Sequence, residues 1–266
     1  NEVRQIINSD AEVVNKLGSN AMGNYLYVYK GVYATDEDVP VNPLTGERLR
    51  MGGNTSTQAY FKAGDPIWVD VNGDYIIDEK DKVIVGNSQP RMTGGISINL
   101  RYKAFSINTN CSFTLRRDII NKALADRFRA YGTPVAGKVN LTGSGALTPI
   151  EAYNFWTEDN IYAQYPNPFD YTRSSIIQPF RYDQTLFMED GSYFKINGIS
   201  VAYTIPKKML DFFRISRCQL NFSMNNIYTF SKYSGINPEN VNNLGYDTSG
   251  GYPNGRTVTF GVSMDF

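Results

Sequence analysis

The stretch Arg256-Thr257-Val258-Thr259-Phe260-Gly261-Val262-Ser263-Met264-Asp265-Phe266 decides the fold. Val258, Phe260, Val262, Met264 and Phe266 fall on one face, and Thr257, Thr259, Gly261, Ser263 and Asp265 on the other. A side-chain period of two over this length is a β-strand with one apolar and one wet face. The pattern recurs upstream. Phe105, Ile107, Thr109, Cys111 and Phe113 oppose Ser106, Asn108, Asn110 and Ser112. Just before them, Ile96, Ile98, Leu100 and Tyr102 oppose Gly95, Ser97, Asn99 and Arg101, and Tyr102-Lys103-Ala104 reads as a tight hairpin joining the two segments. Cys218, Leu220, Phe222 and Met224 oppose Gln219, Asn221, Ser223 and Asn225.

A further strand is expected over residues 24–33, rich in Tyr, and another over Tyr193–Tyr203, whose phase changes at Asn197-Gly198 as at a β-bulge. The wet face is small, polar and almost uncharged, whereas a soluble sandwich usually carries Lys and Glu there. A water-filled barrel interior fits better. The connections alternate in length. Lys103 marks a minimal turn and residues 205–216 a modest one, against long links at 34–91, 114–192 and 231–255. Short turns on one side and long loops on the other are the pattern of outer-membrane barrels, with the long links outside the cell. Within the second long link, Ile120, Leu124 and Phe128 are spaced for a short helix over 118–131.

Composition narrows the function. The chain holds no His, which removes Ser-His-Asp and Cys-His catalysis and imidazole zinc sites. Lys+Arg and Asp+Glu balance at 26 each, and no basic stripe points to nucleic acid. Cys111 and Cys218 lack metal-ligand spacing and read as packed or lipid-facing thiols. No run approaches the roughly 18 apolar residues of a transmembrane helix. A barrel strand needs only about 9–11 alternating residues, a signal hidden in the mean hydropathy of −0.37. The chain opens on a polar stretch at Asn1 without a signal peptide, so it reads as a portion of a mature protein. Residues 1–23 are expected to end a preceding strand and form a periplasmic turn; residues 24–266 form the membrane-spanning part with its outer loops.

Three local patterns invite chemistry. Asp70, Asn72, Asp74, Asp78 and Asp81 stand at the first, third, fifth, ninth and twelfth positions of a loop in which Ile76 offers a carbonyl at the seventh. This is the layout of a Ca²⁺ (or Mg²⁺) loop, since a hard cation wants several oxygens converging from a tight turn. Two departures stand beside it: the turn Gly is Gly73, at the fourth position, with Tyr75 at the sixth, and Asp81 replaces the usual Glu. A plain Asn-Gly-Asp turn is the alternative. Trp156, Tyr162, Tyr165 and Tyr171 could offer ring faces to a sugar or peptide, or pack the loop against itself. The neighbouring carboxylates Glu158-Asp159 and Glu189-Asp190 read as solvated, and no hydrolase pair is expected; nor does a Gly-rich phosphate loop occur. The expected role is not enzymatic.

A resemblance joins these segments. Residues 189–206, Val69-Asp70-Val71-Asn72-Gly73-Asp74 with Ile77-Asp78, Gly86-Asn87 through Thr93-Gly94-Gly95, Asn154-Phe155-Trp156-Thr157-Glu158, residues 225–233, Gly251-Tyr252-Pro253 and the final Phe266 occur in an order that resembles SusC/RagA-type TonB-dependent transporters of Bacteroidota. The resemblance implies an all-β transmembrane antiparallel barrel of about 22 strands, of which this chain holds about the last six. It implies location in the bacterial outer membrane, in contact with its lipid, and import of an oligosaccharide or peptide. It also implies a plug, a TonB complex reached through a region N-terminal to this chain, and a SusD-like surface lipoprotein as lid. Phe266 resembles the aromatic end read by the barrel-insertion machinery. The rival expectation is a secreted, calcium-stabilised β-sandwich that binds carbohydrate.

Overall fold

A computed structural model describes residues 23–53, 57–131, 134–135, 138–139, 152–173, 175–210, 215–247 and 255–266. The expectation for residues 1–23 falls almost wholly outside them. The chain divides into two compact units, a wall unit of Pro90–Asp118, Asp190–Glu239 and Gly251–Phe266, and a loop unit of Asn1–Gln89, Ile119–Glu189 and Asn240–Gly250.

The wall unit is one antiparallel sheet of five strands: β1 (Met92–Tyr102), β2 (Phe105–Leu115), β3 (Tyr193–Thr204), β4 (Arg217–Ser231) and β5 (Thr257–Asp265), in spatial order β5-β4-β3-β2-β1. Every neighbour in space is also the neighbour in sequence among these strands, an up-and-down meander. The links at 114–192 and 231–255 leave and return at the strand ends expected from the sequence. Register keeps the two faces in phase across the whole sheet. Leu100 lies opposite Ile107, Ile107 opposite Val201, Val201 opposite Phe222, and Phe222 opposite Phe260. A one-residue slip in any pair would mix the faces.

Two local features keep that phase. Tyr102 pairs with Phe105 across a two-residue turn in which Lys103 takes φ 53°. At Asn197 the register shifts between Ile196 and Gly198 on both flanking pairs, the expected bulge. A Cβ on Gly198 would stand 2.9 Å from the Asn225 side-chain oxygen, so the bulge tolerates no larger residue without displacement. Gly94 is matched differently: the Phe113 ring opposite it lies where a Cβ would be, 2.6 Å from the ring tip. The ring covers the glycine and restores packing lost by its missing side chain.

The apolar face is uncovered. Ile98, Leu100, Phe222, Val258, Phe260 and Met264 are 47%, 60%, 39%, 60%, 68% and 49% exposed. Buried sheets of soluble sandwiches reverse this arrangement, hiding the apolar face against a second sheet. Cys111 and Cys218 share the apolar phase and carry free thiols, Cys218 buried and Cys111 half-buried. The sheet stops at β1 and β5, each with one neighbour among the described residues. Long flat edges demand a partner strand, and closure into a barrel supplies it.

The loop unit holds its own core. The expected helix forms as α1 (Lys122–Tyr131), preceded by a short strand at Asp118–Ile120 rather than starting there. Asn121 caps it, its side-chain oxygen accepting from the Leu124 amide at 3.0 Å. Leu124 and Phe128 then point into a cluster with Leu26, Ile120, Phe155 and Phe187. The Phe128 ring meets Tyr153, Phe155 and Tyr165 edge-on at centroid distances of 4.8, 4.9 and 5.0 Å. A second cluster gathers Tyr27, Tyr33, Leu49, Phe61, Trp68 and Ile77.

The strand expected over residues 24–33 is corrected here. It forms two short strands, Asn24–Tyr27 pairing with Lys82–Val85, and Tyr29–Val32 pairing with Pro66–Trp68. Leu26 and Tyr27 are buried in the two clusters instead of facing lipid. Local partners within the long link capture the segment, so it joins the loop unit and not the wall.

Around Tyr27 the charges are also closed. Asp183 accepts from Arg181 at 2.5 and 2.8 Å and from Lys82 at 2.8 Å, while Arg181 lies 4.6 Å over the Tyr27 ring. Burial raises the Asp183 carboxyl, but the hydrogen bonds and charges of Arg181 and Lys82 outweigh it and hold it below the usual carboxylate range. A carboxylate with a depressed native pKa contributes stability above its unfolded value of about 3.9, and loses it as pH falls through the native value. Protection of the backbone amides around 181–187, corrected for the intrinsic slowing of exchange in acid, is therefore expected to fall on acidification below about pH 4, and Asp183→Asn to flatten that pH dependence. An unchanged pH profile in Asp183→Asn would count against it.

Candidate functional site: the polar face of the strand wall

The face opposite the apolar one is built from small neutral groups. From β1 to β5 it presents Ser97 and Asn99, then Asn108, Asn110 and Ser112, then Ser200 and Ala202, then Gln219, Asn221 and Ser223, and finally Thr259, Gly261 and Ser263. Side chains on neighbouring strands join into a ladder. Ser97 donates to the Asn110 oxygen at 2.7 Å, Asn110 donates to Asn108 at 3.1 Å, and Asn108 donates in turn to Asn99. Ser112 reaches the bulged Asn197 at 3.2 Å. Because Ser106, Ser200 and Ala202 are short, a groove of about 320 Å³ opens between Asn99, Asn108 and Ser200. Such a face offers neutral donors and acceptors to a wet, polar ligand and holds no acid–base pair.

Charge collects at its ends. Near the long loops, Lys195 is paired with Glu239 at 2.5 Å, which closes the link after β4 over that part of the face. Near the short turns, Arg101 and Arg217 stand at the strand ends, and Arg217 donates to Gln219 at 3.1 Å.

The loop at Asp70–Asp81 is closed by its own backbone. Asp70 accepts from the amides of Gly73 at 2.7 Å and Tyr75 at 2.8 Å; Asn72 accepts from Asp74 at 3.0 Å, and Asp74 from Ile76 at 2.8 Å. Asp78 caps the short turn after it through the Lys80 amide at 2.8 Å. Asp81, fully buried, accepts from Val71 and Asp78, both at 2.8 Å. Tyr75 adopts φ 61°, so it holds the left-handed conformation that a Gly usually provides in such loops. Among the described residues, no three acidic, Cys or His groups are arranged to hold a metal. The side-chain oxygens of Asp70, Asn72, Asp74, Asp78 and Asp81 accept from amides of their own loop, and no step is assigned to a cation. Asp81→Ala strands the Val71 and Asp78 amides at a cost of about 1–3 kcal/mol. Amide exchange at these two positions is expected to rise in Asp81→Ala. Protection that depends on Ca²⁺ in the parent would favour the cation loop over the plain turn.

The aromatic candidates separate. Trp156 is 8% exposed and donates from its indole to the Ala34 carbonyl at 3.2 Å. Tyr165 packs on the cluster around Phe128, and Tyr29 donates its hydroxyl to the Gln164 carbonyl beside it at 2.6 Å. Trp156 and Tyr165 pack the loop against itself, Trp156 buried and Tyr165 half-buried, because the interior of a long link needs apolar area of its own. Tyr162 remains 85% exposed. The Tyr171 backbone forms a single helical turn at Tyr171–Arg173, and its side chain lies outside the described residues. Phe266 is 89% exposed, in phase with the apolar face of β5.

With the uncovered apolar face, the neutral polar face and the open edges in place, comparison with known proteins is informative. No protein-family model matches the chain. It is 28% identical over 257 residues to TonB-dependent receptor P3 of Formosa agariphila, covering 91% of this chain and 22% of that protein. It is 23% identical over 270 residues to TonB-dependent receptor SusC of Bacteroides thetaiotaomicron, covering 94% of this chain and 24% of that one. The relatives it matches are TonB-dependent receptors, SusC among them. The fold agrees: the RagAB peptide transporter superposes with a TM-score of 0.61 at 18% identity, over 92% of this chain and 22% of that chain. The chain is thus similar to part of the β-barrel of these receptors, and its five-stranded sheet has the fold of a barrel wall. It spans about a quarter of the length of these curated relatives.

Proposed function

We propose that the chain forms part of the wall of a TonB-driven importer that carries an oligosaccharide or a peptide across the outer membrane, with a SusD-like surface lipoprotein at its outer mouth. The observation that carries this reading is the exposed apolar face backed by an uncharged polar one. It gives lipid on one side and a wet conduit on the other. Likeness to TonB-dependent receptors and to the RagAB peptide transporter supports inward, TonB-driven transport. Neutral amides and hydroxyls such as Asn99, Asn108 and Ser200 suit either substrate class, since sugars and peptide backbones both exchange neutral hydrogen bonds. No catalytic role is proposed.

The test uses the full-length receptor in its host. Outer-membrane fractionation, heat-modifiable migration and co-purification of a lipoprotein are expected. A deletion strain should lose growth on one glycan or peptide source, and a protonophore should abolish its uptake in the parent. A detergent-independent soluble monomer would instead return the carbohydrate-binding sandwich.

A further inference from the structure

The link that follows β4 begins with a strap, residues 232–239, all within the wall unit. Its root is fixed. The Ser231 hydroxyl donates to the Ser192 carbonyl at 3.0 Å and accepts from the Tyr233 amide at 3.1 Å. Tyr233 is buried, and its ring occupies the space that a side chain on Gly235 would need, a Cβ there lying 2.4 Å from the ring. The far end is held differently. Lys195, on the polar phase of β3, reaches Glu239 at 2.5 Å, and Asn237 accepts from the Glu239 amide at 2.9 Å. Among the described residues, that ion pair is the one polar bond from 235–239 to the strands.

The surroundings of the pair suit a latch better than a permanent brace. Ser112 and Thr229 flank Lys195 on the neighbouring strands, so its charge stands in a neutral stretch with Glu239 as its partner. Residues 248–254 of the same link bring no charged side chain. The Lys195 and Glu239 side chains are 12% and 25% exposed, and a pair that water still reaches gives up little when it opens. Nor is the strap packed down along its length. Ile236 is 43% exposed, and a groove of about 230 Å³ runs between Ile236 and Asn237 on one side and residues 226–229 of β4 on the other. A permanent lining closes such space, because folded interiors leave few voids larger than a water molecule.

We propose that residues 232–239 are a latched strap. The Lys195–Glu239 pair holds it across the outer end of the polar face, and opening of the pair lets it turn about Tyr233-Ser234-Gly235 and clear the way for a bulky nutrient. The inference rests on the importer reading above, which gives the polar face something to pass.

A carbodiimide tests this in cells carrying the full-length receptor, because it joins an amine to a carboxylate in direct contact and turns the latch into an amide. The probe is a fluorescent casein digest or fluorescent dextrin oligosaccharides, whichever the parent accumulates and a deletion strain does not. Uptake is expected to fall several-fold as peptide mapping finds Lys195 coupled to Glu239. Lys195→Met, treated alike and compared with its own untreated cells, keeps the Lys62–Asp170 and Lys82–Asp183 pairs and should lose far less. Equal losses in the two, or a folded receptor in which Lys195 and Glu239 do not couple, overturn the proposal. A second arm needs no nutrient. Asn237 is buried, so labelling of Asn237→Cys by a membrane-impermeant maleimide, above the background of Cys111 and Cys218, should be slow. It should rise several-fold when Lys195→Glu is added and return when Glu239→Lys joins them, with heat-modifiable migration kept throughout. Equal labelling in the three overturns the latch. A parent that accumulates neither probe counts against the importer reading, while the labelling arm still decides the latch.

Discussion

Phe222→Arg is expected to destabilise the receptor by about 2–4 kcal/mol, because it sets a guanidinium against hydrocarbon near the middle of the wall. Phe222 lies between Val201 on β3 and Phe260 on β5, with Leu220 and Met224 before and after it on the same face. Its 39% exposure gives the opposite expectation in water. There, exchanging a partly exposed apolar ring for a charge changes stability by no more than about 0.5 kcal/mol. The neighbouring Asn221→Arg provides the control. Asn221 faces Ala202 and Gly261 on the polar side, and a Cβ on Gly261 would meet nothing within 4 Å. A long polar side chain has room there, with a change of about 0.5 kcal/mol or less expected. Urea midpoints of the receptor refolded into vesicles, with heat-modifiable migration as the check on folding, separate the two. Equal effects from both substitutions would sink the assignment of the faces.

That assignment was legible because alternation is a local property of the chain. The phase of Ile98, Ile107, Phe222 and Phe260 needs no knowledge of partners, and the bulge at Asn197-Gly198 shows itself as a break in phase. Residues 24–33 failed for the complementary reason. Four-residue apolar stretches fit a barrel strand and a short loop strand alike, and only the distant partners Lys82–Val85 and Pro66–Trp68 decide. The start of α1 could have been read more closely, since Asn121 three residues before Leu124 is a capping signal. Ring faces are different again. Nothing local distinguishes Trp156, tied to the Ala34 carbonyl from far along the chain, from Tyr162, which stays in solvent. The oxygens of Asp70 to Asp81 follow the same logic, since a spacing that can gather around a cation can equally gather around amides of a tight turn.

Arg173→Ala is expected to cost the loop unit about 3–5 kcal/mol, the effect of leaving a buried charge without its partner. Arg173 and Asp65 are 5% and 3% exposed, and Arg173 Nε donates to Asp65 at 3.0 Å while a second nitrogen also bonds the carboxylate. The same guanidinium donates to the Tyr60 carbonyl at 2.7 Å, and the Lys62 amide donates to Asp65 at 2.9 Å. One side chain thus ties residues 60–65 to the segment at 171–173. Burial pushes the Asp65 carboxyl above the usual carboxylate range against the pull of Arg173. Without the arginine it rises further, so protonation neutralises the stranded carboxyl more readily, and the defect should shrink as pH is lowered. Pairing Asp65→Leu with Arg173→Met removes both charges and is expected to recover most of the loss, because two apolar groups avoid the desolvation that the ion pair must offset. Arg48→Ala sets the scale for an exposed pair: Arg48 lies 3.6 Å from Asp36 at 42% exposure, and its loss should cost between about 0 and 1 kcal/mol. Amide exchange at Tyr60–Trp68 and limited proteolysis of the long links read all three variants in the full-length receptor. If Arg173→Ala protected these amides as well as Arg48→Ala does, the buried pair would be no clasp. The loop unit would then rest on its two aromatic clusters alone.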